Sequence, residues 1–308
     1  MELPTDYDGI FKNNMIIVTG VARSGTTIIG KIAGSLSNAH YLFEPSTTFL
    51  FPTLVKNGHI NEKEGGELLK AILFEDFYLQ MIQGRYLNFN EGEHSFVGNY
   101  VDPEMVKKRN IKLKRKMDVL EYLKNENCTY VYKNPNLQLN LETVKKIFPG
   151  VKFIHVIRNG KDVISSSIRR DFYSEKFLNE RNVEWVNKVG DIKIPWFVEK
   201  EERSRFAKWN HHTRAAYIWR FLTEEGMNFT KKNKDVVLEF KYEEFIEYPD
   251  AYVKKIEKFI AKKRTGVTNM HIKSTKSYKY RDYPDVIEKI SSPEKERYIK
   301  LNEKLGYL

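Results

Sequence analysis

Four polar clusters in this chain combine residue types and spacings suited to chemistry on an anionic group. The first is Gly20–Thr27, GVARSGTT. Its glycines have the G-x-x-x-x-G-K-[ST] spacing of a P-loop, with Thr26 at the Lys position. Such a loop turns successive backbone N–H groups and a helix N-terminus toward a phosphate. Ser24, Gly25, Thr26 and Thr27 form the turn, and Arg23 supplies a nearby charge. The Lys that would reach the outer phosphates of a triphosphate is missing, so the loop suits one phosphate group and not a Mg-bound triphosphate. A ligand-free strand-to-helix turn has the same pattern. The second cluster is Arg158 with Ser166, eight residues on, a pair that can hold another phosphate through charge-assisted hydrogen bonds. Asp162 between them reads as a helix cap, and Ser165 and Ser167 as helix surface. The third is Glu44, at a strand end before Pro45, where a carboxylate can act as general base. The fourth is Lys133, also at a strand end, where it can stabilise charge on a leaving phosphate. Taken singly, Glu44, Lys133 and Arg158 each also read as surface charge.

These residues need strands and helices to hold them. Met15–Val18 is a short apolar run that reads as a buried strand, followed by the Gly-rich loop and a helix over 28–36. Further strands are expected at 39–43, 128–132, 151–157 and 235–240. Helices are expected at 61–84, 138–147, 161–171 and about 206–232. A basic stretch, 107–116, holds seven Lys or Arg in ten residues and leads into a helix reaching Asn125. Residues 90–102 read as loop, 174–205 carry no clear pattern, and 273–284 form a Lys- and Tyr-rich loop in an otherwise helical remainder. Strands alternating with helices imply an α/β fold, with a parallel sheet covered on both faces. Ligands of such sheets bind beyond the carboxyl ends of the strands, where all four clusters fall. No repeat or linker divides the 308 residues, so one domain is expected.

Composition narrows the class. Aromatic residues make up 13%, which excludes a disordered chain. A single cysteine, Cys128, excludes an internal disulfide and any multi-Cys zinc site. No run reaches the roughly 18 apolar residues of a transmembrane helix, and the acidic N-terminus is no secretory signal, so a reducing, cytoplasmic compartment is expected. The net charge of +11 favours anionic ligands. The seven histidines are scattered and suggest no metal site. His155 lies inside an apolar run and reads as a core residue, while His211 and His212 are expected to diverge on a helix.

Together the clusters resemble the sulfotransferases that use 3′-phosphoadenosine-5′-phosphosulfate (PAPS), and most of all the tyrosylprotein sulfotransferase branch and its microbial relatives. The matching segments are VTGVARSGTT (18–27), FEP (43–45), YKNP (132–135), HVIRNGKDVISS (155–166) and KWN (208–210), in family order over about 14–260. The resemblance implies a P-loop-like three-layer fold, with 261–308 as a helical extension closing the site. It implies that residues 23–27 hold the donor's 5′-phosphosulfate, and that Arg158 and Ser166 hold its 3′-phosphate. Glu44 falls where that branch carries its base, and Lys133 where it carries a Lys near the bridging oxygen. Arg23 joins these two as a catalytic charge. Trp209 and Asn210 match a motif on the long helix. Other sulfotransferase branches use His, which makes His40 and His94 minor base candidates. PAPS would be the co-substrate and PAP the product, without a metal.

The acceptor implied is a hydroxyl: carbohydrate, phenol or tyrosine, lipid or small alcohol. The secretory tyrosine enzymes carry an anchor and disulfide cysteines that this chain lacks, which weakens protein tyrosine as acceptor. The basic run 107–116 reads as a solvated helix face; alternatively it recognises an acidic acceptor. Two other functions compete. A P-loop kinase or NTPase is disfavoured by Thr26 and by the lack of a Mg-binding Asp after a strand. A non-catalytic anion- or RNA-binding protein would use the +11 charge, but no RNA-binding aromatic motif appears, so nucleic acid is not expected as a partner.

Overall fold

The computed structural model describes residues 9, 11, 12, 14–82, 87–180, 186–275 and 285–308. Its centre is a five-stranded parallel sheet. The apolar, β-branched runs form β1 (Met15–Gly20), β2 (Ala39–Phe43), β3 (Thr129–Lys133) and β4 (Lys152–Ile157). A hairpin, β5 (Val186–Val189) and β6 (Ile192–Pro195), stands apart, and β7 (Val237–Lys241) completes the sheet in the order β2-β3-β1-β4-β7. Every connection crosses over, so all five strands end on one side.

Helices cover both faces. In chain order they are α1 (Thr26–Gly34), α2 (Thr47–Lys56), α3 (Glu62–Ile82), α4 (Pro103–Lys112), α5 (Lys116–Asn125), α6 (Leu141–Ile147) and α7 (Gly160–Ile168). They continue with α8 (Glu175–Glu180), α9 (Arg203–Lys208), α10 (His211–Lys232), α11 (Tyr242–Glu247), α12 (Pro249–Ile260), α13 (Gly266–Thr275) and α14 (Glu294–Leu305). Successive strand residues point to opposite faces. Met15, Ile17, Tyr130, Tyr132 and Phe153 therefore bury with Leu69, Leu73, Leu141 and Val144 on one side. Ile16, Val18, Val131, Ile154 and Val156 bury with Ile29, Ile32, Val253 and Ile256 on the other. A third apolar cluster surrounds Trp219 on α10, between α7 and α14.

Several elements differ from expectation. The long helix starts at His211, because Trp209 leaves the helical region and the Asn210 side chain accepts a hydrogen bond from Thr213 N at 2.8 Å. Trp209 and Asn210 thus lie at the junction before the helix. The stretch 103–125 is two helices, because Leu113 turns inward and Arg115 N donates to Asp118 Oδ2 at 2.9 Å to start the second. α2 escapes a periodicity reading because Pro52 lies inside it. The unassigned stretch 174–205 holds α8, the hairpin and α9. His211 and His212 do not diverge: their rings lie 4.5 Å apart in the first turn of α10. Residues 276–284, most of the expected Lys- and Tyr-rich loop, lie outside the described residues. No helix among the described residues is long and apolar enough to cross a membrane.

Candidate active site

The carboxyl ends of the five parallel strands open into one cleft of about 710 Å³. β1 delivers the loop 21–25, β2 delivers Glu44, β3 delivers Lys133, β4 delivers Arg158 and β7 delivers Tyr242. Convergence follows from register. Phe43 is level with Lys133, Val18 with Lys133 and Ile154, and Ile157 with Lys241.

Glu44 and Lys133 are in direct contact through a hydrogen bond from Nζ to Oε1. Two backbone features make this contact. Glu44 N donates to Lys133 O at 2.8 Å, extending the β2–β3 ladder by one residue. Glu44 then adopts φ 49°, the left-handed region that non-glycine residues seldom enter. The lysine side chain is 2% exposed and the glutamate 42%, so the ammonium comes from the interior and the carboxylate from the cleft. The ammonium also sits 4.2 Å from the centre of the Phe43 ring. Burial pulls the Lys133 pKa below its ordinary value, opposed by its hydrogen bond to Glu44 and by the Glu44 charge.

The second constellation lies across the loop. Arg23, at φ 76°, sends its Nε to Ser166 Oγ at 2.9 Å. Arg158 Nη1 donates to Arg23 O at 3.1 Å, and its Nη2 to Asp162 Oδ2 at 3.1 Å. The Arg158 guanidinium lies 4.7 Å from the Tyr242 ring centre. Trp219 Nε1 holds the Arg158 carbonyl at 3.0 Å, which ties this strand end to α10. Burial lowers the Arg23 pKa, and the charges of Arg170, Arg158 and Arg169 lower it further. Several guanidinium groups this close repel one another, a cost that a bound anion relieves.

The structure brings Arg23, Arg158 and Ser166 together, and Glu44 with Lys133. Arg23 reaches toward Ser166 and not toward the Glu44–Lys133 pair, although it is near enough for both charges to be felt. Asp162 does not cap α7: Asn159 does, accepting from Lys161 N at 2.9 Å, while Asp162 is buried against Arg158. Ser165 and Ser167 are also buried, donating to Lys161 O and Val163 O.

His40 lies at the other end of β2 from Glu44, buried, with Nε2 3.2 Å from Cys128 Sγ, and away from the cleft. His94 lines the cleft, its ring 6.3 Å from Phe43. His155 is a core residue, with Nδ1 2.8 Å from Glu239 Oε2. None of residues 107–116 lines the cleft. Lys107 pairs with Glu104, Arg115 with Asp118 and Lys116 with Glu75. α14 packs on α10 behind the site, with Tyr298 against Trp219 at 5.3 Å between ring centres.

Sequence reasoning missed several cleft residues. Lys31, on the exit of α1, donates to Asn99 Oδ1 at 3.1 Å and faces the cleft. Asn136 Oδ1 accepts from Ala22 N at 2.8 Å and braces the loop. Tyr242 follows β7 directly, so the rule that strand ends carry the site would have found it. The loop fits an anionic group by two observations. Ser24 Oγ is buried with no hydrogen-bond partner among the described residues. A Cβ on Gly25 would stand 2.2 Å from the Tyr242 ring, so only glycine keeps backbone and ring this close. Among the described residues no group of three or more His, Cys, Asp or Glu is placed to hold a metal ion.

The fold matches the sulfotransferase domain from the curacin biosynthetic pathway with a TM-score of 0.52 at 14% identity, covering 95% of this chain and 97% of that one. The sulfotransferase domain of the Synechococcus PCC 7002 olefin synthase gives a TM-score of 0.49 at 13% identity, covering 96% of each chain. No curated protein matches the sequence. Residues 15–263 match the model of the sulfotransferase family, a span that takes in all five sheet strands and every cluster of the cleft, and the chain belongs to that family.

Proposed function

We propose that this chain transfers the sulfuryl group of PAPS to an acceptor hydroxyl, with Glu44 as general base. The observation that carries the reading is the contact between a cleft-facing carboxylate and a buried ammonium, Glu44 and Lys133, opposite a phosphate-type loop. In the reaction the acceptor oxygen bonds to sulfur, the bond from sulfur to the donor's phosphate oxygen breaks, and PAP leaves. Glu44 accepts the acceptor's proton. Lys133, swung from Glu44 to the breaking bond, neutralises charge on the leaving oxygen, where a preorganised positive group is most effective. The same swing frees the carboxylate to act as base.

Backbone N–H groups of 25–27, at the start of α1, hold the 5′-phosphosulfate together with the Ser24 hydroxyl, since Ser24 N itself donates to Val21 O at 3.0 Å. Arg158, Ser166 and Arg23 hold the 3′-phosphate. The contact of the Arg23 guanidinium with Ser166 supports this 3′ role. α14, beyond the span matched by the family, packs its Tyr298 on Trp219 and so supports Arg158, which favours reading it as part of the same domain.

The test is ligand-dependent thermal stabilisation followed by turnover. PAP is expected to raise the melting temperature and Mg-ATP to leave it unchanged. Labelled PAPS is expected to label a hydroxyl acceptor in EDTA as well as in its absence. Stabilisation by Mg-ATP alone would replace this reading with a kinase or NTPase.

A further inference from the structure

The cleft lining carries two kinds of residue. The cations are Arg23, Lys31, Lys133 and Arg158. An apolar wall is made of Phe172, Tyr173, Phe177 and Leu178, from the turn after α7 and from α8, with Pro195 at the end of β6 and Phe197 just after it; Arg169 and Arg170, which precede the wall, place its start near Arg23. The Phe172 and Phe177 rings lie 4.9 Å apart between centres, and Tyr173 is 6.2 Å from each. The wall reaches the Glu44 side, because Trp196, between Pro195 and Phe197, lies 6.3 Å from Phe49 on α2. No charged residue of the cleft lining belongs to this wall.

The wall is also held in place. Asp171 and Tyr173 both adopt the left-handed region, at φ 58° and 69°, conformations that persist where the surroundings impose them. Buried Arg214 supplies the constraint. Its Nη1 donates to Tyr173 O at 3.2 Å, its Nε to Phe206 O at 2.9 Å and its Nη2 to Ala207 O at 2.7 Å. One guanidinium thereby pins the aromatic turn to the segment before α10.

We infer that this wall selects an acceptor alcohol or phenol with an apolar body. The rings of Phe172, Phe177 and Phe197 cover that body, while its hydroxyl reaches Glu44. Half-buried rings gain most by covering apolar surface. A sugar, whose hydroxyls need polar partners, leaves such a wall unsatisfied. The inference rests on the PAPS reading above and names the acceptor class for the same site.

The experiment uses the full chain with PAP, PAPS and three acceptors: 2-naphthol, 1-decanol and glucose. The wild-type protein is expected to sulfate the first two at least 10-fold more efficiently than glucose. Phe177→Ala and Phe197→Ala are expected to raise the KM for 2-naphthol about 10–100-fold, the worth of one buried ring. PAP affinity is expected to change less than twofold, and melting temperature confirms that each variant folds. Calorimetric titration of 2-naphthol into the PAP complex gives a reading independent of turnover. Preference for glucose, no 2-naphthol binding to the PAP complex, or an unchanged KM in both variants overturns the inference. Lost PAP affinity in either variant also overturns it, because the wall then covers the donor's adenine. Failure of the wild-type protein to bind PAP removes the PAPS reading itself, a different outcome.

Discussion

Replacing Glu44 with Gln separates two jobs of one carboxylate. Gln keeps the size and an acceptor oxygen but cannot take a proton. Loss of a general base lowers turnover by about 10²–10⁴-fold. The same change alters stability, because Glu44 is the partner of an ammonium whose side chain is only 2% exposed. A hydrogen bond to a charged group contributes about 1.5–3 kcal/mol. The 42% exposure of Glu44 means water can replace part of the interaction, which brings the loss down to about 1–2 kcal/mol. Lys133→Met removes the buried charge and keeps the stem. The carboxylate left behind is 42% exposed and can be hydrated, so this variant should lose less stability than Glu44→Gln, which strands a buried ammonium, and should be equally impaired in catalysis. The double variant then isolates the coupling: adding Lys133→Met to Glu44→Gln should recover most of the lost stability. Urea unfolding gives the stabilities, and initial rates with saturating PAPS give turnover. Near-full turnover of Glu44→Gln at neutral pH refutes the base assignment and moves attention to His94, which lines the same cleft. A Glu44→Gln/Lys133→Met protein no more stable than Glu44→Gln refutes the account of the pair.

Three further outcomes follow from the same geometry. Arg158→Ala and Ser166→Ala should each weaken PAP binding, Arg158→Ala by about 10–150-fold for the loss of a charged contact of about 1.5–3 kcal/mol, read by calorimetry; unchanged affinity in Arg158→Ala removes the 3′-phosphate assignment. Gly25→Ala should abolish PAP binding, because it combines φ 89° with a methyl 2.2 Å from the Tyr242 ring; adding Tyr242→Ala relieves the clash but not the backbone strain, so only partial recovery is expected. Burial, with the charges of Arg109 and Lys262, pulls the His40 pKa down to about 3. The unfolded chain takes up this proton below about pH 6.5 and the folded chain does not, so stability holds above that pH and falls as pH drops toward 3. His40→Gln should lessen the decline by about 1.4 kcal/mol per pH unit between pH 6 and 4, and an unaltered slope in urea melts at these pH values refutes the assignment.

The sequence alone determined the sheet strands and the side of the sheet that carries the site. Short β-branched runs such as Met15–Val18 and Val151–Ile157 bury on both faces and have few alternatives, and each was followed by a polar cluster. Glu44, Lys133, Arg158 and the 23–27 loop were legible as residues of the cleft for that reason. Irregular segments were not legible. The helix break at Trp209–Asn210 depends on one side-chain cap, and α2 hides behind Pro52. The roles of Ser165, Ser167 and Asp162 depended on which face of α7 meets the sheet and α10, which no local pattern states.

What only the tertiary structure decided is which charges meet. Glu44 and Lys133 are 89 residues apart and touch because β2 and β3 are neighbours in register and Glu44 turns left-handed. Arg23 and Ser166 are 143 residues apart, and their contact draws Arg23 to the Arg158 side of the cleft. Most of the aromatic wall came from the stretch with no clear pattern, because Phe177 and Phe197 gain their meaning from the cleft they line, as does Phe172 just before that stretch, in the turn that Arg214 pins at Tyr173. Local sequence fixes a strand through its own burial pattern, whereas a site built from five strand ends depends on strand order and register, and those are settled by packing across the whole sheet.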